Sequence, residues 1–127
     1  MPLVRISMKQ GRTENKRKVV ADGIHQAMVE TLNVPAADRF QVITEDAGEA
    51  LIYDPHYLEI ERTDGIVFVQ VFLCKGRSVE MKQAFYKRVA ELLHEWAEVR
   101  PEDLLITLSE NDAADWSFGN GVAQYAK

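Results

Sequence analysis

The sequence predicts a single α+β domain made of two β-α-β units that share one sheet and lay both helices on one of its faces. Three observations predict it. The chain matches itself without a gap at an offset of 65, pairing Val4 with Val69, Gly11 with Gly76, Arg12 with Arg77, Thr13 with Ser78, Ile24 with Val89, Met28 with Leu93 and Asp38 with Asp103. Each half then reads in the same order: strand, Gly-Arg turn, helix, strand. Because β-α-β crossovers are right-handed in nearly all cases, two equivalent units in one sheet place both helices on the same side. The repeat occurs twice only, which marks a duplication rather than a solenoid.

The elements follow in order. From Leu3 to Lys9 the residues Val4, Ile6 and Met8 alternate with Arg5, Ser7 and Lys9, the pattern of a strand with one apolar side. Gly11 punctuates a turn, and Thr13 followed by Glu14 reads as a helix start. Val20, Ile24, Met28 and Leu32 recur every four residues, with Val19 and Ala27 beside them, so an amphipathic helix runs to about Asn33 before Pro35. Phe40 to Ile43 is the second strand. The pseudo-repeats cover about 2–43 and 67–108, and residues 44–65 between them read as an insertion. In it Asp54-Pro55 marks a turn, Tyr57 to Arg62 alternates weakly, and Thr63-Asp64-Gly65 is a tight-turn signal.

Ile66 to Cys74 is nearly all apolar, interrupted by Gln70 alone, and reads as a strand buried on both faces. Ser78 caps the second helix, whose stripe is Met81, Phe85, Val89, Leu92 and Trp96. Pro101 follows it, and Leu104 to Leu108 is the last strand. The tail, 109–127, carries Trp116-Ser117-Phe118-Gly119-Asn120-Gly121. With both helices on one face, the other face of the sheet is bare. Leaving its Val, Phe and Leu in water would be costly at roughly 25 cal/mol per Å2, so an obligate oligomer covering that face is expected.

Composition bounds the function. The 127 residues hold 46% hydrophobic and 28% charged side chains, an ordinary globular balance. A net charge of −5 argues against nucleic acid as a partner. No apolar run approaches the ~18 residues that span a bilayer, and the first residues lack the pattern of a signal peptide. A single cysteine, Cys74, allows no internal disulfide and fits a cytoplasmic location. His25, His56 and His94 are scattered, so no metal site is expected, and no cofactor is.

The chemistry starts at Met1-Pro2. Initiator methionine is normally trimmed before a small residue, which would leave Pro2 with a free secondary amine at the start of a strand. An α-amino group titrates near ~8, and burial or a nearby cation lowers that value because each disfavours the ammonium. Such an amine can act as a base or an acid near neutral pH.

Pro2, the two β-α-β units, the Gly-Arg-Ser turn at Gly76 to Ser78, and Asn111-Asp112 with Asp115-Trp116-Ser117-Phe118-Gly119 together resemble the tautomerase superfamily, within it the branch similar to malonate semialdehyde decarboxylase. The likeness spans essentially the whole chain and implies a homotrimer with the amino-terminal proline in a pocket near subunit contacts. It implies that Pro2 is the catalytic amine and that Asp38 polarises a water or the substrate. It further implies that Arg77 binds the substrate carboxylate and that Trp116 and Phe118 wall the pocket. Where the branch looks to carry two arginines separated by one residue, the first here is Lys75. Lysine supplies a point charge without the planar fork of arginine.

Each residue has a competing reading. Asp38 shares its place with Asp103, so both would simply satisfy loop amides. Arg12 and Arg77 would be one structural device used twice, Lys75 a surface charge, and Trp116 and Phe118 core or interface. The leading expectation is an isomerase performing keto–enol tautomerisation of a small anionic 2-oxo or 3-oxo acid. One alternative is a decarboxylase or hydratase of the malonate semialdehyde type, a lyase in which Pro2 is a general acid. Another is a cytokine-like binding module without catalysis.

Overall fold

The computed structural model describes residues 2–126. Met1 and Lys127 lie outside them, and with Met1 the expected trimming that would bare the Pro2 nitrogen. The regular elements are β1 (Pro2–Lys9), α1 (Glu14–Thr31), β2 (Gln41–Asp46), β3 (Val67–Cys74), α2 (Val79–Ala97) and β4 (Leu104–Asn111). Single 3-10 turns occupy Tyr57–Glu59, Pro101–Asp103 and Ala113–Asp115. The sheet order is β2-β1-β3-β4, with β1 parallel to β2, β3 parallel to β4, and β1 antiparallel to β3.

The register shows the duplication as geometry. Arg5 pairs with Gln70, its own mate at the offset of 65, so a pseudo-twofold axis passes through that pair. Pro2 lies opposite Leu73 at one end of the sheet; its repeat mate Val67 lies opposite Met8 at the other.

Local signals act in both halves. The hydroxyls of Thr13 and Ser78 accept from the amides of Lys16 and Met81, capping α1 and α2. One core cluster lies between sheet and helices. It holds Val4, Ile6 and Met8 of β1, Val67, Val69, Val71 and Leu73 of β3, and the helix residues Val20, Ile24, Met28, Phe85, Val89 and Leu92. Gly23 lets the two helices approach: a Cβ there would sit 2.8 Å from Leu93 Cδ1.

Several boundaries and faces differ from the sequence reading. Helix α1 stops at Thr31, and Asn33 lies past its cap with a left-handed φ of 57°. Strand β2 begins at Gln41, not Phe40, and runs through Thr44, Glu45 and Asp46 into the expected insertion, because on an edge strand polar residues cost nothing. Tyr57–Arg62 is no strand but includes a 3-10 turn, and β4 continues to Asn111. Strand β3 is fully buried on its helix side only; on the other, Phe68 and Phe72 are half-buried and Gln70 is exposed. Trp96 is 44% exposed rather than part of the core, whose place is taken by Leu93 and Ala97. Among the described residues, no helix is long and apolar enough to cross a membrane, and no cluster of three metal-ligating side chains occurs.

Candidate active site

The site is assembled at the end of the sheet where β1 begins. Pro2 is buried there, paired across the ladder with Leu73. On its other side the loop after α1 arrives alongside, since Val4 N donates to Phe40 O (3.0 Å) as the chain enters β2. Asp38, half-buried, lies in that loop, and its amide donates to Pro35 O (3.0 Å). Arg39 is adjacent, but its guanidinium turns away to Asp22 and Gln41.

Arg77 comes from the turn that leaves β3. Its Nε donates to Leu32 O (3.0 Å) and its Nη1 to Cys74 O (2.9 Å). The first bond places a cation on the C-terminal carbonyls of α1, whose own last turn has no basic residue. The second ties the side chain to the residue following Pro2's ladder partner. Arg77 is therefore structural and close to the site at once, and Nη2 takes part in neither bond. Lys75, Arg77, Leu32, Asn33 and Met81 line a cavity of about 250 Å3 at this turn.

Lys75 does not stand as an open charge. Its Nζ meets Asp112 Oδ1 at 2.8 Å, both side chains being largely exposed. The hydrogen bond and the charge of Asp112 raise the Lys75 pKa above its ordinary value. The Lys75 amide also donates to Asn111 O (2.8 Å), stitching the turn to the end of β4.

From Asn111 the tail crosses the end of the sheet. Asp112 and Asp115 cap each other's backbone around the turn Ala113–Asp115, and Trp116 Nε1 donates to Asn111 Oδ1 (2.6 Å). Trp116 stacks on Phe118 with centroids 5.4 Å apart and planes 8° off parallel. Phe118 then meets Phe40 (5.8 Å) and the edge of Tyr125 (5.6 Å). Since Phe40 is bonded to β1 and Asn111 pairs with Cys74 beside Leu73, this aromatic row spans the sheet end that carries Pro2. The sequence reading named Trp116 and Phe118 but missed Phe40 and Tyr125. Their aromatic character was visible; their pairing, across 78 positions for Phe40, was not.

The opposite end holds the repeat mates. Asp103 is 2% exposed, and its two oxygens accept from the Thr63 amide and hydroxyl, each at 2.7 Å. Arg12 donates from Nη2 to Gly65 O (2.7 Å). Burial lowers the Arg12 pKa, against the opposing pull of Asp103 and Glu45. A second cavity of about 250 Å3, lined by Ile52, Tyr53, Tyr57, Phe68 and Leu105 among others, opens on the sheet face away from the helices. Its Arg62 guanidinium is engaged by the carbonyls of Asp54, Tyr57 and Ile60, so that hollow is chiefly apolar.

Comparison with known proteins identifies the family. Family models described as tautomerase enzyme match residues 38–119 and residues 2–60. The chain is 43% identical over 124 residues to the probable tautomerase YusQ of Bacillus subtilis (strain 168), covering 98% of each. Among solved structures it resembles a malonate semialdehyde decarboxylase with a TM-score of 0.92 at 33% identity, over 97% of this chain and 95% of that one. It resembles the FG41 malonate semialdehyde decarboxylase inhibited by 3-bromopropiolate equally well, with a TM-score of 0.92 at 37% identity, over 97% and 93%. With a family model matched along more than half its length and relatives aligned end to end, the chain belongs to the tautomerase family.

Proposed function

We propose that this tautomerase-family enzyme moves a proton on a small anionic 2-oxo or 3-oxo acid with the secondary amine of Pro2. The observation that supports it most is the placement of Pro2: buried at a strand end, one ladder rung from the carbonyl that anchors Arg77. Trimming of Met1 exposes the amine. Arg77, through Nη2, holds the substrate carboxylate by a charge-assisted hydrogen bond. The neutral Pro2 nitrogen takes a proton from the carbon next to the ketone; the electron pair moves onto the carbonyl oxygen, which is protonated to give the enol. The reverse sequence returns the keto form. Trp116 and Phe118, with Phe40 and Tyr125, exclude water over the reacting carbon and strengthen these charge interactions. Asp38 orients a water or the substrate oxygen from the loop beside β1.

The test is turnover of phenylpyruvate enol by protein whose amino terminus has been verified by mass spectrometry. Pro2→Ala, or one extra residue before Pro2, is expected to lose about 100-fold or more in kcat/KM, the usual contribution of a positioned acid–base group. Unchanged turnover in both would overturn the reading.

The similarity to malonate semialdehyde decarboxylases supports a second reading, decarboxylation or hydration of a 3-oxo acid with Pro2 as a general acid and Asp38 on a water. The pH profile separates the two. Activity lost at low pH, where the amine is protonated, supports the base; activity lost at high pH supports the acid.

The active form is a homo-oligomer, a trimer on the family pattern. Val42 and Leu105 are 42% and 47% exposed on the face away from the helices, next to half-buried Phe68 and Phe72. A second copy of this chain is the natural cover for such a surface, and light scattering after gel filtration measures it.

A further inference from the structure

We propose that Asp112 is a specificity-determining residue: by holding Lys75 Nζ at the rim of the Pro2 end, it leaves Arg77 to meet a substrate carboxylate and sets the site against doubly charged acids. The inference rests on the functional reading above and concerns which charge that site tolerates.

The geometry carries it. Lys75 and Arg77 flank Gly76 and line one cavity, so two cations stand together in the turn that leaves β3, next to the rung that pairs Leu73 with Pro2. Asp112 cancels one of them at 2.8 Å. The carboxylate is not a wandering surface group. Its amide donates to Asp115 Oδ2 (2.9 Å), its side chain accepts from the Asp115 backbone, and the next turn carries Trp116. The residue before it is bonded through its carbonyl to the Lys75 amide. Asp112 is thus fixed between the cationic turn and the aromatic row.

By pairing with the Lys75 ammonium, Asp112 cancels an attraction that scales with the ligand's own charge. A monoanion has Arg77 to compensate it; the second carboxylate of a dianion meets an ammonium already paired with Asp112. The pair is exposed, and an exposed pair couples weakly, so the discrimination is a matter of a few-fold rather than exclusion.

The experiment compares Kd values of two inert aryl acetates, phenylacetate and 1,4-phenylenediacetate, which differ by a second acetate arm, by titration calorimetry, alongside turnover of phenylpyruvate enol. Asp112→Asn removes the charge and keeps a side-chain oxygen for the turn. It is expected to tighten the monoanion about threefold and the dianion about tenfold, since the effect scales with ligand charge. In a Lys75→Gln background the same change is expected to lose most of that extra gain for the dianion, as a double-mutant cycle requires of residues that act through one another. An unaltered ratio of the two affinities in Asp112→Asn, or an equal alteration with and without Lys75, overturns the role of Asp112 while leaving wild-type turnover intact. A wild-type protein that binds neither probe and turns over no enol overturns the functional reading, and the assignment of Asp112 with it.

Discussion

The two ends of the sheet began as copies and are now built differently. At one end stand Pro2, Asp38 and Arg77; at the other, Val67, Asp103 and Arg12, their mates at the offset of 65. At the second end the insertion has moved in. Thr63 occupies both oxygens of Asp103, and Gly65 O takes a nitrogen of Arg12. The aspartate is sealed and works as a clamp between the insertion and the Pro101–Asp103 turn. At the first end no insertion arrives. The tail supplies an aromatic row instead, and Arg77 keeps one guanidinium nitrogen clear of its two backbone bonds. The same acid and arginine positions are thus tied to the insertion at one end, while at the other they sit in the turns that flank the strand beginning with Pro2.

The largest expected effect tests this division by activity. Pro2→Ala should abolish most turnover, whereas Val67→Ala should leave kcat within about twofold for folded protein while lowering stability by about 1–3 kcal/mol through lost core volume. Both are read from enol turnover beside urea unfolding. Next is the aspartate pair. Asp103→Ala removes the buried carboxylate that accepts from the Thr63 amide and hydroxyl and should cost about 2–4 kcal/mol by urea unfolding. Asp38→Ala, at a half-buried loop position, should cost about 1 kcal/mol or less and show its effect in kcat.

Smaller again is the turn that the halves share. Gly11 and Gly76 have φ of 109° and 127°, and a Cβ at either meets nothing within 4 Å. Alanine there should destabilise through backbone strain alone, by about 1–2 kcal/mol and equally at both. Unequal losses would mean the turns have diverged as the sites have. The smallest effect is pH. The hydrogen bonds of Lys9 and Tyr53 hold the Asp64 pKa below its ordinary value, and that of Lys82 does the same for Glu110. Carboxylates with lowered folded-state pKa values contribute stability that is complete at neutral pH and fades as pH falls through the ordinary carboxylate range and below. A slight fall in Tm between pH 6 and pH 3 should shrink when Lys9 and Lys82 are replaced by methionine.

Much of this architecture was legible because its causes are local. Thr13 and Ser78 announce helix starts, Gly11 and Gly76 the turns, and the alternation of Val4, Ile6 and Met8 the buried side of a strand. Matching these signals at one offset places two units in one sheet. The site was legible only as a set of names. Nothing near Lys75 in the chain points to Asp112, and nothing near Phe40 points to Phe118, because each pairing arises where the tail crosses the sheet end. Arg39, next to Asp38 in the chain, is drawn off by Asp22 and Gln41. Trp96 continued the apolar stripe of α2 yet lies at the rim. Thr44 to Asp46 read as loop because polar residues on an edge strand resemble one.

The aromatic row also orders events in time. It joins position 118 to position 40, so a ribosome must deliver 78 further residues after Phe40 before that contact can close. Contacts of such long sequence separation are closed late and at high entropic cost. A nascent chain can therefore hold its paired strands and helices in register before residues 116–125 close over Phe40.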